Sequence, residues 1–263
     1  EEMIRRLYGN GVRSFVVDNL PDLEVLEGFL HDDIKIDLML RLKLKENTLR
    51  TEKHYVFGME SRIINRKIPE LRMYKSIDRL GVHFHRKTQN MAEWRLKYEL
   101  SGILNQEVLD AIDVMNIGGG LPSEYANTNK DVLKGIFNKI SEFRDWLDVD
   151  MMIEPGRFIA APAGRLVTRI KRIHGNNIIV DASVYNSDMD ALIVPVKLLI
   201  EGELDGGTPY VVKGITPCSL DLFRYRVYLE DPKEGDELIF INAGAYNFRT
   251  DFCNLEKLET VIE

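Results

Sequence analysis

The chain of 263 residues carries 35 Lys and Arg against 42 Asp and Glu, a formal net charge of −7, with 44% hydrophobic and 29% charged residues. This is ordinary globular composition, long enough for one large barrel or two modest domains, and its acidic balance argues against nucleic acid or an anionic membrane as the main partner. No apolar run approaches the length needed to cross a bilayer, and the opening Glu1-Glu2-Met3-Ile4-Arg5-Arg6 is no signal peptide. Cys218 and Cys253 are too few for a disulfide framework and lack zinc-ligand spacing. The expectation is a soluble, cytoplasmic protein.

The first half alternates short apolar strands with amphipathic helices. Met3, Ile4, Leu7 and Tyr8 share one helical face, and Asn10-Gly11 can cap it. A strand at Phe15 to Val17 and a helix around Leu23 to Leu30 follow, then a strand from Ile36 to Leu44. Arg62 to Leu71 predicts a helix interrupted near Pro69, Leu80 to His85 a third strand, and Trp94 to Leu104 a largely helical stretch. Val114 to Ile117 makes a fourth strand, ending at Gly118-Gly119-Gly120. Val132, Leu133, Ile136, Phe137, Ile140, Phe143 and Leu147 form a stripe of period 3.6, and Met151 to Ile153 a fifth strand closed by Glu154-Pro155-Gly156-Arg157. After Arg157 the texture turns to strands: 166–173, 178–184, 210–214, 224–229 and 238–242, separated by Gly- and Asn-rich turns. A boundary near residue 160 therefore divides a βα-repeating domain (1–160) from an all-β domain (161–263).

Chemistry-bearing residues gather where the strands of the repeating part end, and in a parallel βα barrel those ends meet on one face. The triple glycine leaves backbone N–H groups bare and can wrap a phosphate, though a flexible turn is the plainer reading. Glu154 and Arg157, three residues apart, suit a ligand with both a cationic and an anionic part, against the alternative of a surface ion pair. His85 offers a flat ring to a ligand ring or is a satisfied core residue; Thr88 and Gln89 offer hydrogen bonds just beyond it. His83 shares the strand but has no specific role. Further on, Gly214 to Asp221, with an accessible Cys218, and Asn242-Ala243-Gly244-Ala245-Tyr246 stand out as polar loop segments.

In order, Gly81-Val82-His83-Phe84-His85, Ile117-Gly118-Gly119-Gly120-Leu121-Pro122, Ile153-Glu154-Pro155-Gly156-Arg157-Phe158 and Asn242 to Tyr246 resemble the fold-type III pyridoxal-phosphate decarboxylases, the ornithine, arginine and diaminopimelate decarboxylase family. Asp181-Ala182-Ser183-Val184-Tyr185 and Gly214 to Asp221 match less closely. The resemblance implies a (β/α)8 barrel of the alanine racemase type followed by a β-sandwich or β-barrel domain, with pyridoxal 5'-phosphate as cofactor. It implies that His85 stacks on the pyridine ring, that Glu154 bonds the pyridine nitrogen, and that Thr88, Gly118, Gly119, Gly120, Gly156, Arg157 and Tyr246 surround the phosphate. It implies a homodimer with shared active sites, in which Cys218 acts catalytically and Tyr185 contacts substrate from the partner chain.

Two departures from the family pattern are visible. Pro217 occupies the usual cysteine place and Cys218 sits one position late, while Gly214 and Asp221 keep the outer spacing. Five strands rather than eight precede the β region, so three βα units, including the one that bears the family's Schiff-base lysine, are expected upstream. Lys43 and Lys45 lie on a predicted strand and are not assigned that role. The expected activity is decarboxylation of a diamino or basic amino acid, with a racemase or a catalytically silent binding homologue as alternatives.

Overall fold

The computed structural model describes residues 1–44, 57–128 and 131–262. Contacts divide the chain into two compact units, Glu1–Gly120 with Asp131–Pro155, and Leu121–Lys130 with Gly156–Glu263. The second unit is thus assembled from two separate stretches of chain.

In the first unit, α1 (Glu2–Gly9), β1 (Ser14–Val17), α2 (Leu20–Glu27), β2 (Ile36–Arg41), α3 (Ser61–Leu71) and β3 (Ile77–His83) come first. They are followed by α4 (Leu96–Ser101), α5 (Gln106–Ala111), β4 (Val114–Asn116), α6 (Val132–Leu147) and β5 (Asp150–Met152). The five strands lie in chain order and pair in parallel throughout. A parallel sheet covered by crossover helices buries both faces of its strands. The three consecutive residues Leu38, Met39 and Leu40 illustrate this, since all are buried. Asn19 and Asn105 start α2 and α5 by accepting from the backbone N–H of Asp22 and Val108, each at 2.9 Å.

Some expected boundaries move. The helix expected to break near Pro69 runs through it to Leu71, because Pro69 falls in the last turn and Ile64, Ile68 and Leu71 are all buried below it. The third strand starts earlier and ends at His83, which leaves Phe84 and His85 in the loop beyond. On α6 the stripe holds at Ile136, Phe143 and Leu147, but Phe137 turns outward and is 41% exposed. Lys43 lies past the end of β2, and Lys45 is outside the described residues.

The second unit contains α7 (Arg157–Ala160), β6 (Leu166–His174), β7 (Asn177–Val180), α8 (Val184–Ser187), α9 (Asp190–Ile193), β8 (Leu199–Ile200), β9 (Leu204–Lys213), β10 (Leu222–Tyr228) and β11 (Glu237–Ile241). Its sheet runs β10-β9-β7-β6-β11-β8, with β7 and β9 parallel and the other pairs antiparallel. Ile170, Ile178, Val180, Val212, Phe223 and Phe240 fill its core, and Tyr125 joins them from the detached segment. The strand expected to reach Val184 stops at Val180. Ser183 accepts from the N–H of Tyr185 while the Asn186 side chain answers the Ser183 backbone, a capping box that starts α8.

Candidate active site

The register of the first sheet sets the site. His83 on β3 lies opposite Asn116 on β4, and Asn116 opposite Met152 on β5, so the three strands end level. Glu154 follows two residues later, its backbone N–H donating to the Gly118 carbonyl at 2.8 Å. Its carboxylate is met by two side chains. Asn116 Nδ2 donates to Oε1 at 2.8 Å, and His83 Nε2 stands 3.5 Å from Oε2. Asn116 spends its carbonyl too, accepting from the Gly118 N–H at 2.9 Å. Burial pushes the imidazole of His83 below its ordinary value; Glu154 pulls the other way and Arg41 adds to the depression. Burial and Arg41 thus favour the uncharged ring of His83.

His85 sits beside this cluster. The Gly119 N–H donates to its Nδ1 at 3.2 Å, which fixes the ring against the glycine loop. Burial also depresses its pKa, with Arg41 helping and Glu154 opposing. His83, His85 and Glu154 place one ligand atom each within 4.8 Å of one another, near enough to hold a metal ion. The hydrogen bonding disfavours that use. A neutral ring that accepts at Nδ1 carries its proton on Nε2, which then donates instead of ligating.

The glycine loop is built for close approach. Gly118 has φ +62°, and a Cβ there would overlap the Phe84 carbonyl oxygen. At Gly119 a Cβ would stand 2.9 Å from both the Glu154 carbonyl oxygen and His85 Cε1. The N–H groups of Gly118 and Gly119 are already committed to Asn116 and His85, so these glycines contribute close packing against Phe84, His85 and Glu154 more than free donors. Gly120 accepts at its carbonyl from the Asn90 N–H at 2.9 Å, tying the loop to the segment after β3. That segment exposes Thr88 and is anchored by buried Arg86, which donates to Glu99 at 2.7 Å.

In the second unit, Gly156, Arg157 and Tyr246 come together. Tyr246 has a left-handed backbone at φ +58°, and a Cβ on Gly156 would lie 3.2 Å from its hydroxyl. Arg157 stacks its guanidinium 4.9 Å from the Tyr246 ring centre and donates to the Tyr125 hydroxyl at 3.1 Å. Both of its terminal nitrogens also engage Asp190, within a pair almost wholly removed from solvent. Asp190 and Tyr125 were not singled out by the sequence, because neither belongs to a recognisable motif.

Cys218 and Tyr185 form a separate pair, with 3.0 Å between Sγ and the phenol oxygen. That hydrogen bond is the main reason the thiol pKa falls below its usual value. Asp221 shapes the loop around Cys218 from a fully buried position, accepting from the N–H of Val184 and from both the N–H and hydroxyl of Thr216. Its oxygens are spent on the fold. Gly214 is obligatory beneath it, since a Cβ there would run into the Asp221 carboxylate.

Residues 1–161 match the family described as pyridoxal-dependent decarboxylase, pyridoxal binding domain. Diaminopimelate decarboxylase of Methanocaldococcus jannaschii is 24% identical across 94% of this chain, which spans 62% of that protein. A Staphylococcus aureus enzyme, 2-[(L-alanin-3-ylcarbamoyl)methyl]-2-hydroxybutanedioate decarboxylase, is 25% identical across 94% of the chain and 70% of its own length. Among solved structures, lysine/ornithine decarboxylase from Vibrio vulnificus complexed with cadaverine superposes with a TM-score of 0.73 at 25% identity, covering 98% of this chain and 71% of that one. The site fits the cofactor that such a family uses: a carboxylate held by Asn116, a flat imidazole beside it, and a glycine loop that closes on that imidazole where a Cβ would collide. No helix among the described residues is long and apolar enough to cross a membrane. The match over most of the chain, together with the strand-end residues it encloses, places this protein in the pyridoxal-dependent decarboxylase family, with pyridoxal 5'-phosphate as its cofactor.

Proposed function

We propose that the protein removes the carboxyl group of a diamino or basic amino acid, releasing carbon dioxide and an amine, as a cytoplasmic homodimer with shared active sites. The observation that carries this reading is Glu154, held at the end of a parallel strand by Asn116 at 2.8 Å with His85 and the glycine loop alongside. When bound, pyridoxal phosphate supplies an electron sink for the pair left on Cα as carbon dioxide departs. Glu154 would hold the ring nitrogen and favour its protonated form. His85 would hold the pyridine ring with its own, and Gly119 lets the loop lie close against that imidazole. Thr88, Gly118, Gly120, Gly156 and Tyr246 would hold the phosphate. Arg157 has its donors committed to Asp190 and Tyr125, so its share would be to hold the Gly156 turn in place. Cys218, with the Tyr185 hydroxyl 3.0 Å from its sulfur, would be the residue that holds the proton for Cα, acting in the partner's site.

The test uses the intact gene product, loaded with pyridoxal phosphate and offered ornithine, lysine, arginine and diaminopimelate. Carbon dioxide and the matching amine from at least one of them is the expected result. Inversion at Cα without carbon dioxide would assign a racemase. No uptake of cofactor would leave a binding protein and overturn the reading.

A further inference from the structure

We infer that His83 is a positioning residue for Glu154: a neutral imidazole whose Nε2–H steers and steadies the carboxylate that would face the cofactor ring nitrogen, without cancelling its charge. The inference rests on the cofactor reading above and goes beyond it by assigning a role to a residue that the family resemblance left idle.

Three observations carry it. His83 is 4% exposed and closes β3, so its ring cannot swing away. Its Nε2 lies 3.5 Å from Glu154 Oε2, longer than a formed N–H···O bond but close enough for an N–H dipole to face the carboxylate, while Asn116 holds the other oxygen at 2.8 Å. Its Nδ1 is buried with no hydrogen-bond partner among the described residues. These fix the tautomer. A proton on Nδ1 would bury an unsatisfied donor and turn the Nε2 lone pair toward a carboxylate, two penalties at once. A proton on Nε2 removes both, leaving a lone pair on Nδ1 that costs less to bury unpaired.

The chemistry follows from charge. A lysine or arginine in this place would neutralise Glu154 and weaken its pull on a cationic ring nitrogen. Two neutral donors orient the carboxylate and leave its full charge for the ligand. Since Asn116 is anchored in turn by the Gly118 N–H, the carboxylate, the glycine loop and β3 are tied into one arrangement.

The test compares wild type, His83→Phe, which keeps the flat shape without a donor, and His83→Gln, which restores a donor at the ε position. First, 15N spectra of histidine-labelled cofactor-free protein should show His83 protonated at Nε2; a proton on Nδ1 would overturn the inference. Second, the intact protein is titrated with pyridoxal phosphate and with its 1-deaza analogue, which lacks the ring nitrogen. His83→Phe should bind pyridoxal phosphate about tenfold more weakly, with His83→Gln close to wild type and no comparable loss for the analogue. In a Glu154→Gln background the His83→Phe penalty should vanish. Equal losses for both ligands, or full additivity with Glu154→Gln, would make His83 a packing residue and overturn the role. If wild type binds neither compound, the cofactor reading fails first and this inference with it.

Discussion

Arg157 and Asp190 form a bidentate ion pair inside the second unit, with side chains 3% and 2% exposed. Removing one partner of such a pair leaves an uncompensated charge where water cannot reach it. Asp190→Ala should therefore cost about 3–5 kcal/mol of unfolding free energy in urea titrations. A much smaller loss would mean that the guanidinium finds solvent or another anion.

Asp188 lies two residues away and fares differently. It is fully buried, neither carboxylate oxygen has a well-aligned hydrogen bond, and burial followed by the charge of Asp190 pushes its pKa up to about 7, with Lys197 and Asn247 pulling back more weakly. The folded state thus holds a proton that the unfolded chain has already released near pH 4. A raised folded pKa gives stability that is complete below the unfolded value and lost as pH climbs toward 7, about 4 kcal/mol at most for this shift. Asp188→Asn, a permanently neutral isostere, should flatten the fall in unfolding free energy between pH 5 and about 8. An unchanged slope would put the titrating group elsewhere.

The glycine loop gives a sharper result at one position than at its neighbour. Gly119→Ala sets a methyl 2.9 Å from His85 Cε1 and from a backbone oxygen of Glu154, so cofactor affinity should drop at least tenfold, roughly the worth of one well-placed contact. Gly118→Ala adds a left-handed backbone that alanine resists and an overlap with the Phe84 backbone, and should cost stability as well. Thermal melts beside cofactor titrations separate the two.

Glu154→Gln should retain cofactor yet lose most turnover, because a neutral amide cannot favour a protonated ring nitrogen. Steady-state rates with the best substrate check this. Turnover equal to wild type would remove the assigned role.

Cys218 owes its depressed pKa first to the Tyr185 hydroxyl 3.0 Å away. In a Cys253→Ser background, the pH profile of iodoacetamide alkylation should have its midpoint below that of a free thiol. Tyr185→Phe should move it upward, with slower labelling at pH 7. A midpoint indifferent to Tyr185 would show that the hydrogen bond does not form in solution.

What sequence alone could show was whatever has a local signature. The triple glycine, the strand-closing Glu154 and the 3.6-residue stripe of α6 all announce themselves within a few positions. His83 and Asn116 do not, because their partnership with Glu154 exists only once β3, β4 and β5 pair in register. The same holds for Arg157, whose counter-charge arrives 33 residues later from a short helix with no pattern of its own. Asp221 kept its expected spacing from Gly214, yet its oxygens serve the backbone of Val184 and Thr216, a purpose that spacing could not disclose.

The second unit borrows residues 121–130, and with them Tyr125, which is 2% exposed among its core side chains. Between that loan and the rest of the unit the chain makes α6 and β5. A ribosome therefore releases the first piece of this core well before the last, and Asn242 must close back on the Glu124 carbonyl across 118 positions at 2.8 Å. A fragment trimmed to begin at Ala161 would be born without Tyr125 and Arg157, and Asp190 would lose the guanidinium that both its oxygens engage. Its failure to fold would reflect a missing tenant of the core, whatever the intrinsic soundness of its strands.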